Sequence, residues 1–242
     1  MCGVIGINIQ NANEEDIQMI KQLFIESQIR GKHATGIAWY DGTDFLKVCK
    51  KPLPAKKFVD EYSFVFDDII NEDRSIKAVG HIRYSTSDLR YNQPIGGLDM
   101  YLAHNGVISQ VNPEKWKEIY GLKCMTSNDS ELLYQYYQIY GFNDFEHLLK
   151  FFPGSSFAVV YITNKGEFGY FRNSLRPLWK ATYEKGTIIA STLNILLRAN
   201  VPGVYEKIQP VDNIEKIHNY MTFSKQMKAN EVYIKGWMYE FE

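Results

Sequence analysis

Cys2 is the residue of this sequence best suited to act as a nucleophile, because it directly follows the initiator methionine. Methionine is normally removed before a small residue, which would leave Cys2 with both a thiol and a free α-amine. The reference pKa values of these groups are about 8.5 and about 7.7–8.0, so the amine can take up the thiol proton near neutral pH. A second interpretation stays open, since Cys2 precedes the apolar run 4–9 and free cysteines are commonly buried in strands.

Arg83 is a candidate for binding a carboxylate. It ends a β-type run and is followed by Tyr84, Ser85 and Thr86. A guanidinium group can hold a carboxylate through two parallel hydrogen bonds. Considered alone, Arg83 fits better with an arginine that is ion-paired or lies at the surface.

Two further segments supply a donor pair and a carboxylate. Asn105 offers a side-chain amide and Gly106 an unshielded backbone N–H, a combination that suits an oxyanion hole, although this dipeptide commonly forms a turn between strands. Asp129 lies where a helix is predicted to begin, a position where acidic residues cap the helix or oppose its dipole. In that place a carboxylate can also bind a substrate ammonium group.

The elements that must position these residues follow from periodicity and turn signals. A helix is predicted to begin at Asn13 and to end at Arg30, and further helices cluster mid-chain, after 112, after 128 and over 143–152. Strands are predicted over 35–40, 45–50, 157–163, 167–172, 177–183 and 187–191, with strand-like pieces in the tail at 213–223 and 231–238. Grouped helices and grouped hairpins predict sheets covered by helices.

Composition limits the classes of function. The 242 residues are 45% hydrophobic and 23% charged, which is typical of a globular protein, and we expect a single domain over 2–242. A net charge of −1 argues against nucleic-acid binding, and the basic stretch 47–57 is interpreted as a solvated loop. Three widely spaced cysteines and five histidines give no zinc-ligand pattern, and no stretch reaches the roughly 20 apolar residues of a membrane span. We therefore expect a cytoplasmic protein without a metal or cofactor.

Taken together, six segments resemble the class II glutamine amidotransferase domain in order and spacing, and the resemblance covers nearly the whole chain. They are Met1-Cys2-Gly3-Val4-Ile5-Gly6, Arg30-Gly31 with Thr35-Gly36-Ile37, Gly80-His81-Ile82-Arg83-Tyr84-Ser85-Thr86, Asn92-Gln93-Pro94, His104-Asn105-Gly106-Val107-Ile108, and Asp129-Ser130-Glu131.

The resemblance implies the N-terminal nucleophile (Ntn) hydrolase fold, an α+β four-layer αββα sandwich of two antiparallel sheets. It further implies that Cys2 attacks the side-chain amide of L-glutamine, giving a thioester, glutamate and ammonia. Asn105 and Gly106 would form the oxyanion hole. In the substrate site, Arg83 would bind the α-carboxylate within the segment that includes Tyr84, Ser85 and Thr86, and Asp129 would bind the α-ammonium group.

Two departures from the family pattern affect these expectations. Lys32-His33 stands where the family often has an acidic residue, so loop closure over glutamine is expected to differ, and the stretch 172–178 is shortened. Family members usually fuse this domain to a synthase, whereas this sequence ends soon after the resemblance does. We therefore expect the ammonia acceptor on a separate synthase chain. His81 and His104 are interpreted as positioning or core residues, and Arg176-Pro177 as structural.

Two alternatives remain from the sequence. The first is an Ntn amidohydrolase that acts on another γ-glutamyl compound or small amide. The second is a non-catalytic glutamine-binding subunit that retains the fold.

Overall fold

The computed structural model describes residues 1–84 and 92–212. Within these residues the helices are α1 (Glu14–Ser27), α2 (Ala55–Glu61), α3 (Ser63–Asp68), α4 (Trp116–Tyr120), α5 (Ser130–Tyr140), α6 (Phe145–Phe151) and α7 (Leu193–Arg198). The strands are β1 (Gly3–Ile9), β2 (Ala34–Tyr40), β3 (Leu46–Lys51), β4 (Ile76–Arg83), β5 (Ile95–Gly96), β6 (Met100–Val107), β7 (Ser156–Thr163), β8 (Phe168–Arg172), β9 (Trp179–Tyr183), β10 (Gly186–Ala190) and β11 (Val204–Lys207).

The strands form two antiparallel sheets. In the described residues the larger sheet has the order β11-β9-β10-β1-β4-β2-β3, and the smaller has the order β5-β6-β7-β8. Strand β1 lies near the centre of the larger sheet, between β4 and β10. The candidate nucleophile therefore precedes a central strand that is paired on both edges.

Three apolar layers separate the sheets and helices. One packs α1, α2, α3 and α7 on the outer face of the larger sheet, and a second packs α4, α5 and α6 on the outer face of the smaller sheet. The third lies between the sheets and includes Val4, Val79 and Val160. The predicted α+β four-layer αββα sandwich is therefore confirmed.

At Gly6 the backbone of the larger sheet packs closely against side chains of the smaller sheet. A Cβ atom at this position would lie 2.7 Å from Val160 Cγ1 and 2.9 Å from Phe168 Cζ, on strands of the opposite sheet. Glycine is required because the backbone of β1 packs directly against these side chains.

Most predicted elements agree with the structure, and the differences are local. Helix α1 begins after Asn13 as predicted, with a capping box between Asn13 and Asp16, and it ends in a 3₁₀ turn at Gln28–Arg30. The stretch 47–57 is not a loop throughout, because it contains most of β3 and the start of α2. The tail pieces 213–223 and 231–238 lie outside the described residues, so the single domain over 2–242 stays a prediction.

Candidate active site

Cys2 lies half-buried at the start of β1, held by contacts on each side of its backbone. Its backbone nitrogen donates to Asn105 Oδ1 at 3.1 Å, and its carbonyl oxygen accepts from Arg30 Nε at 3.2 Å. The thiol donates to the carbonyl oxygen of Tyr84 at 3.8 Å. Both polar backbone groups of Cys2 are thus fixed by the fold.

Asn105 connects the second sheet to Cys2. While its Oδ1 atom accepts from the Cys2 nitrogen, its Nδ2 atom is buried and has no hydrogen-bond partner among the described residues. A buried amide donor without a partner is costly, typically about 1–3 kcal/mol. This donor is therefore available to an oxygen that arrives beside Cys2.

The Asn105-Gly106 pair belongs to a strand and does not form a turn, so that interpretation of the dipeptide is wrong. Both residues lie in β6 and pair with Ala158 and Phe157 of β7. At Gly106 the backbone has φ +156°, and a Cβ atom would lie 1.8 Å from the carbonyl oxygen of Ser156. No other amino acid fits at Gly106 without moving one of the two strands.

Arg83 ends β4 and is buried rather than at the surface, with 7% of its area exposed. Its Nη1 atom donates to Asn92 Oδ1 at 3.0 Å. The following residue, Tyr84, is 54% exposed and stacks at a tilt on His33, with ring centroids 5.2 Å apart. Ser85 and Thr86 lie outside the described residues.

Asp129 precedes helix α5, and its carboxylate is held by the loop that follows β6. Its Oδ2 atom accepts from the backbone nitrogens of Ile108 at 2.6 Å and Ser109 at 3.4 Å. Capping of α5 therefore does not explain its position. The carboxylate is fixed beside the strand that carries Asn105 and Gly106.

One cavity of about 360 Å³ is lined by five of the predicted site residues. Its lining includes Cys2, Arg83, Tyr84, Gly106 and Asp129, and Asn105 contacts Cys2 beside it. The volume lies at the lower end of the range for small-molecule sites. A thiol, an arginine and a carboxylate therefore face one space of the size of a small ligand.

Two buried histidines also line this cavity. Burial lowers the pKa of His81 to about 3, and the neighbouring Arg83 and His104 lower it further. Burial also lowers the pKa of His104, where Asp129 acts in the opposite direction and Arg176 in the same direction. Both rings are therefore neutral near pH 7, and both ring nitrogens of His81 are without a hydrogen-bond partner within 1–84 and 92–212.

Three residues near Cys2 were not predicted to support it. Ser191 is fully buried and accepts from the Val4 nitrogen at 2.8 Å, extending the pairing of β1. Arg30 holds the Cys2 carbonyl oxygen, and Arg176 is close enough to lower the pKa of Arg30, although burial is the larger cause. The only sequence signals were the family segment Arg30-Gly31 and the dipeptide Arg176-Pro177, interpreted as structural, because the contacts join distant segments.

Comparisons with known proteins agree with this architecture. No protein-family model matches the sequence. Glutamine phosphoribosylpyrophosphate amidotransferase from B. subtilis is similar in structure, with a TM-score of 0.64 and 22% identity over 86% of this chain and 46% of that chain. A structure described as the allosteric regulatory enzyme of purine biosynthesis has a TM-score of 0.63 and 22% identity. The match covers 86% of this chain and 45% of that chain. A glutamine aminotransferase class-II domain protein from Silicibacter pomeroyi has a TM-score of 0.53 and 14% identity. The match covers 87% of this chain and 92% of that chain.

The chain has the fold of a class II glutamine amidotransferase domain. This is the Ntn-hydrolase fold, and the predicted resemblance is confirmed at this level. In sequence, an amidophosphoribosyltransferase from Methanothermobacter thermautotrophicus is 27% identical over 140 residues, which are 54% of this chain and 28% of that protein. The chain thus spans less than half the length of the first two structures and about a quarter of the curated relative.

The described residues contain neither a cluster of metal ligands nor a membrane-spanning helix. Within 1–84 and 92–212, no group of three or more His, Cys, Asp or Glu side chains is arranged to hold a metal ion. The same residues include no helix with the length and apolar character of a membrane span.

Proposed function

We propose that this class II domain hydrolyses the side-chain amide of L-glutamine to glutamate and ammonia, with Cys2 as the nucleophile. The observation that supports this most directly is Asn105, which contacts the Cys2 nitrogen and keeps a buried Nδ2 donor beside it. Attack by the Cys2 thiolate on the amide carbon converts the carbonyl oxygen into an oxyanion. Asn105 Nδ2 and the Gly106 N–H stabilise that oxyanion, because donors fixed in advance favour the developing charge.

The two charged ends of glutamine match two fixed side chains of the cavity. Arg83, held by Asn92, binds the α-carboxylate, and Asp129, held by the backbone nitrogens of Ile108 and Ser109, binds the α-ammonium group. Tyr84, Ser85 and Thr86 belong to the same substrate-binding segment. Because these contacts fix the amino-acid end, the side-chain amide is directed towards Cys2.

The reaction requires a free amine at Cys2. Met1 is 64% exposed, so it is accessible for removal, which converts the Cys2 peptide nitrogen into an α-amine. That amine takes the thiol proton and later gives it to the departing nitrogen, which leaves as ammonia. Water then adds to the γ-glutamyl thioester, which yields glutamate and restores the thiol.

The ammonia is used at an acceptor site outside residues 1–84 and 92–212, on a synthase subunit or domain. The curated relative is named an amidophosphoribosyltransferase, and this chain spans 28% of it. Free ammonia is largely protonated near pH 7 and would be diluted in bulk water. We therefore expect the acceptor protein to dock over the site and to shield the transfer.

Turnover and covalent labelling test this proposal. Protein whose intact mass shows loss of Met1 is expected to release glutamate from glutamine and to react with a glutamine-like electrophile at Cys2, and Cys2→Ala is expected to abolish both. Cys124→Ser is the matched control, since burial and Glu131 raise the pKa of the Cys124 thiol to about 12 and keep it unreactive.

Three outcomes would contradict the proposal. Faster hydrolysis of another γ-glutamyl amide than of glutamine would favour a different amidohydrolase. Calorimetric binding of glutamine without thioester formation would indicate a non-catalytic subunit. Neither turnover nor labelling in folded, processed protein would remove Cys2 as the nucleophile.

A further inference from the structure

Three buried polar side chains form a closed ring of hydrogen bonds next to the cavity. The His104 backbone N–H donates to Gln93 Oε1 at 2.6 Å, and Gln93 Nε2 donates to Ser130 Oγ at 2.9 Å. Ser130 Oγ in turn lies 2.8 Å from His104 Nδ1. All three residues are at most 6% exposed, so water does not substitute for these bonds.

The direction of each bond follows from one unambiguous donor. A backbone N–H can only donate, so the Gln93 atom facing His104 is the oxygen, and the amide nitrogen must face Ser130. Ser130 Oγ therefore accepts from Gln93, and its single hydrogen is free to be donated to His104 Nδ1. With Nδ1 accepting, the ring hydrogen lies on Nε2, which is 3.3 Å from the carbonyl oxygen of Ser156 and donates to it.

The opposite tautomer leaves unfavourable contacts. If Nδ1 carried the hydrogen, the Nε2 lone pair of His104 would face the Ser156 carbonyl oxygen, which is also an acceptor. A doubly protonated ring would satisfy both contacts, but burial disfavours the charge. The neutral Nε2–H form is the one in which both nitrogens of the His104 imidazole have a suitable hydrogen-bond partner.

Each residue of the network is next in sequence to a residue that carries, or holds, a group of the proposed site. Gln93 follows Asn92, which holds Arg83, and Ser130 follows Asp129. His104 precedes Asn105 in β6. The network ends at the Ser156 carbonyl group, the atom that leaves no room for a side chain at Gly106.

We propose that Gln93 is a positioning residue, which fixes His104 as the Nε2–H tautomer and thereby aligns the oxyanion-hole segment with the two segments that bind the substrate's charged groups. The kinetic part of this inference rests on the proposed function. The tautomer part does not, because it is a property of the folded protein alone.

Histidine tautomers can be measured directly by ¹⁵N nuclear magnetic resonance. In protein with ¹⁵N-labelled histidine, the His104 ring is expected to show a hydrogen on Nε2 and a bare Nδ1 at pH 7, with the signals assigned by their loss in His104→Gln. A hydrogen on Nδ1 in the unaltered protein would overturn the inference. The tautomer itself is measured on the unaltered protein, and a variant is used only to assign the signals.

Gln93→Glu tests the cause. The carboxylate still accepts from the His104 N–H but can no longer donate to Ser130, so the Ser130 hydrogen turns towards Glu and Nδ1 of His104 acquires a hydrogen. We expect the ¹⁵N spectrum to change accordingly and kcat/KM for glutamine to fall about 10- to 100-fold through misalignment. Gln18→Glu, on the exposed face of α1, is the matched control and should change neither quantity.

Gln93→Met gives a second variant that removes both bonds without adding charge. It is expected to lower kcat/KM by a similar factor, with a native circular dichroism spectrum. Unchanged His104 signals in Gln93→Glu, or unchanged kcat/KM in both variants, would overturn the positioning role. Expected tautomers in a protein that does not turn over glutamine would instead contradict the proposed function alone.

Discussion

The two polar side-chain atoms of Asn105 lie in different environments. Its contact with the Cys2 nitrogen through Oδ1 and its proposed role as an oxyanion donor through Nδ2 can therefore be tested separately. Asn105→Asp keeps an oxygen for the Cys2 nitrogen but removes the Nδ2 donor and adds a negative charge beside the forming oxyanion. We expect kcat to fall by about 10²–10³, as for the loss of an oxyanion-hole donor, while the protein remains folded. Steady-state kinetics with exposed Asn143→Asp as a control measure the effect, and a kcat near that of the unaltered protein would exclude Asn105 from the oxyanion hole.

His81 gives the protein a predictable acid sensitivity. Its pKa is lowered from 6.5 to about 3 in the folded state, mainly by burial, and the neighbouring Arg83 and His104 add to the shift. Between these pH values the unfolded chain binds more protons, so the free energy of unfolding falls as the pH falls, by up to about 1.4 kcal/mol per pH unit.

His81→Gln should remove this contribution, leaving the acid sensitivity of buried His104. Urea unfolding at intervals from pH 7 to pH 4 measures the slope, and His33→Gln, at an exposed imidazole, is the control. An unchanged slope in His81→Gln would show that His81 is not neutral in the folded protein.

At the level of elements, helix α1 depends on its N-cap residue, Asn13. Asn13 Oδ1 accepts from the Asp16 nitrogen at 3.1 Å, and Asp16 Oδ2 accepts from the Asn13 nitrogen at 2.8 Å. Asn13→Ala should lower the free energy of unfolding by about 1 kcal/mol, the usual value for an N-cap. Urea unfolding measures this difference, and a loss below about 0.3 kcal/mol would show that the bond between Asp16 and Lys185 holds the helix start instead.

The elements also show what the sequence could predict. Helix α1 was predictable because its cap and its apolar spacing are both local, and the paired strands were predictable from their turns. The strand position of Asn105-Gly106 was not, because its partner β7 is about fifty residues away and the dipeptide alone favours a turn. The bonds among Gln93, His104 and Ser130 were equally inaccessible, since three separate segments contribute one residue each.

At the scale of the whole molecule, the two sheets pack directly against each other at Gly6, where the larger sheet contributes no side chain. Gly6→Ala places a Cβ atom 2.7 Å from Val160 Cγ1 and should destabilise the protein by about 1–3 kcal/mol through overpacking. Val160→Ala removes that methyl group, so the double variant should lose less than the sum of the single variants, by about 0.5 kcal/mol or more. Val65→Ala lies in the core between the larger sheet and its helices, so its loss of stability should simply add to that of Gly6→Ala. If the losses of Gly6→Ala and Val160→Ala were also simply additive, the two sheets would not be in contact at Gly6.

The position of β1 between β4 and β10 has a consequence for synthesis. The hydrogen bond from the Val4 nitrogen to Ser191 Oγ joins residues that are 187 positions apart. A ribosome that adds about 5–20 residues per second must make nearly the whole described chain before that partner strand exists. We therefore expect β1 to remain unpaired on its β10 edge during most of translation, so that Cys2 is among the last residues to be enclosed by the fold.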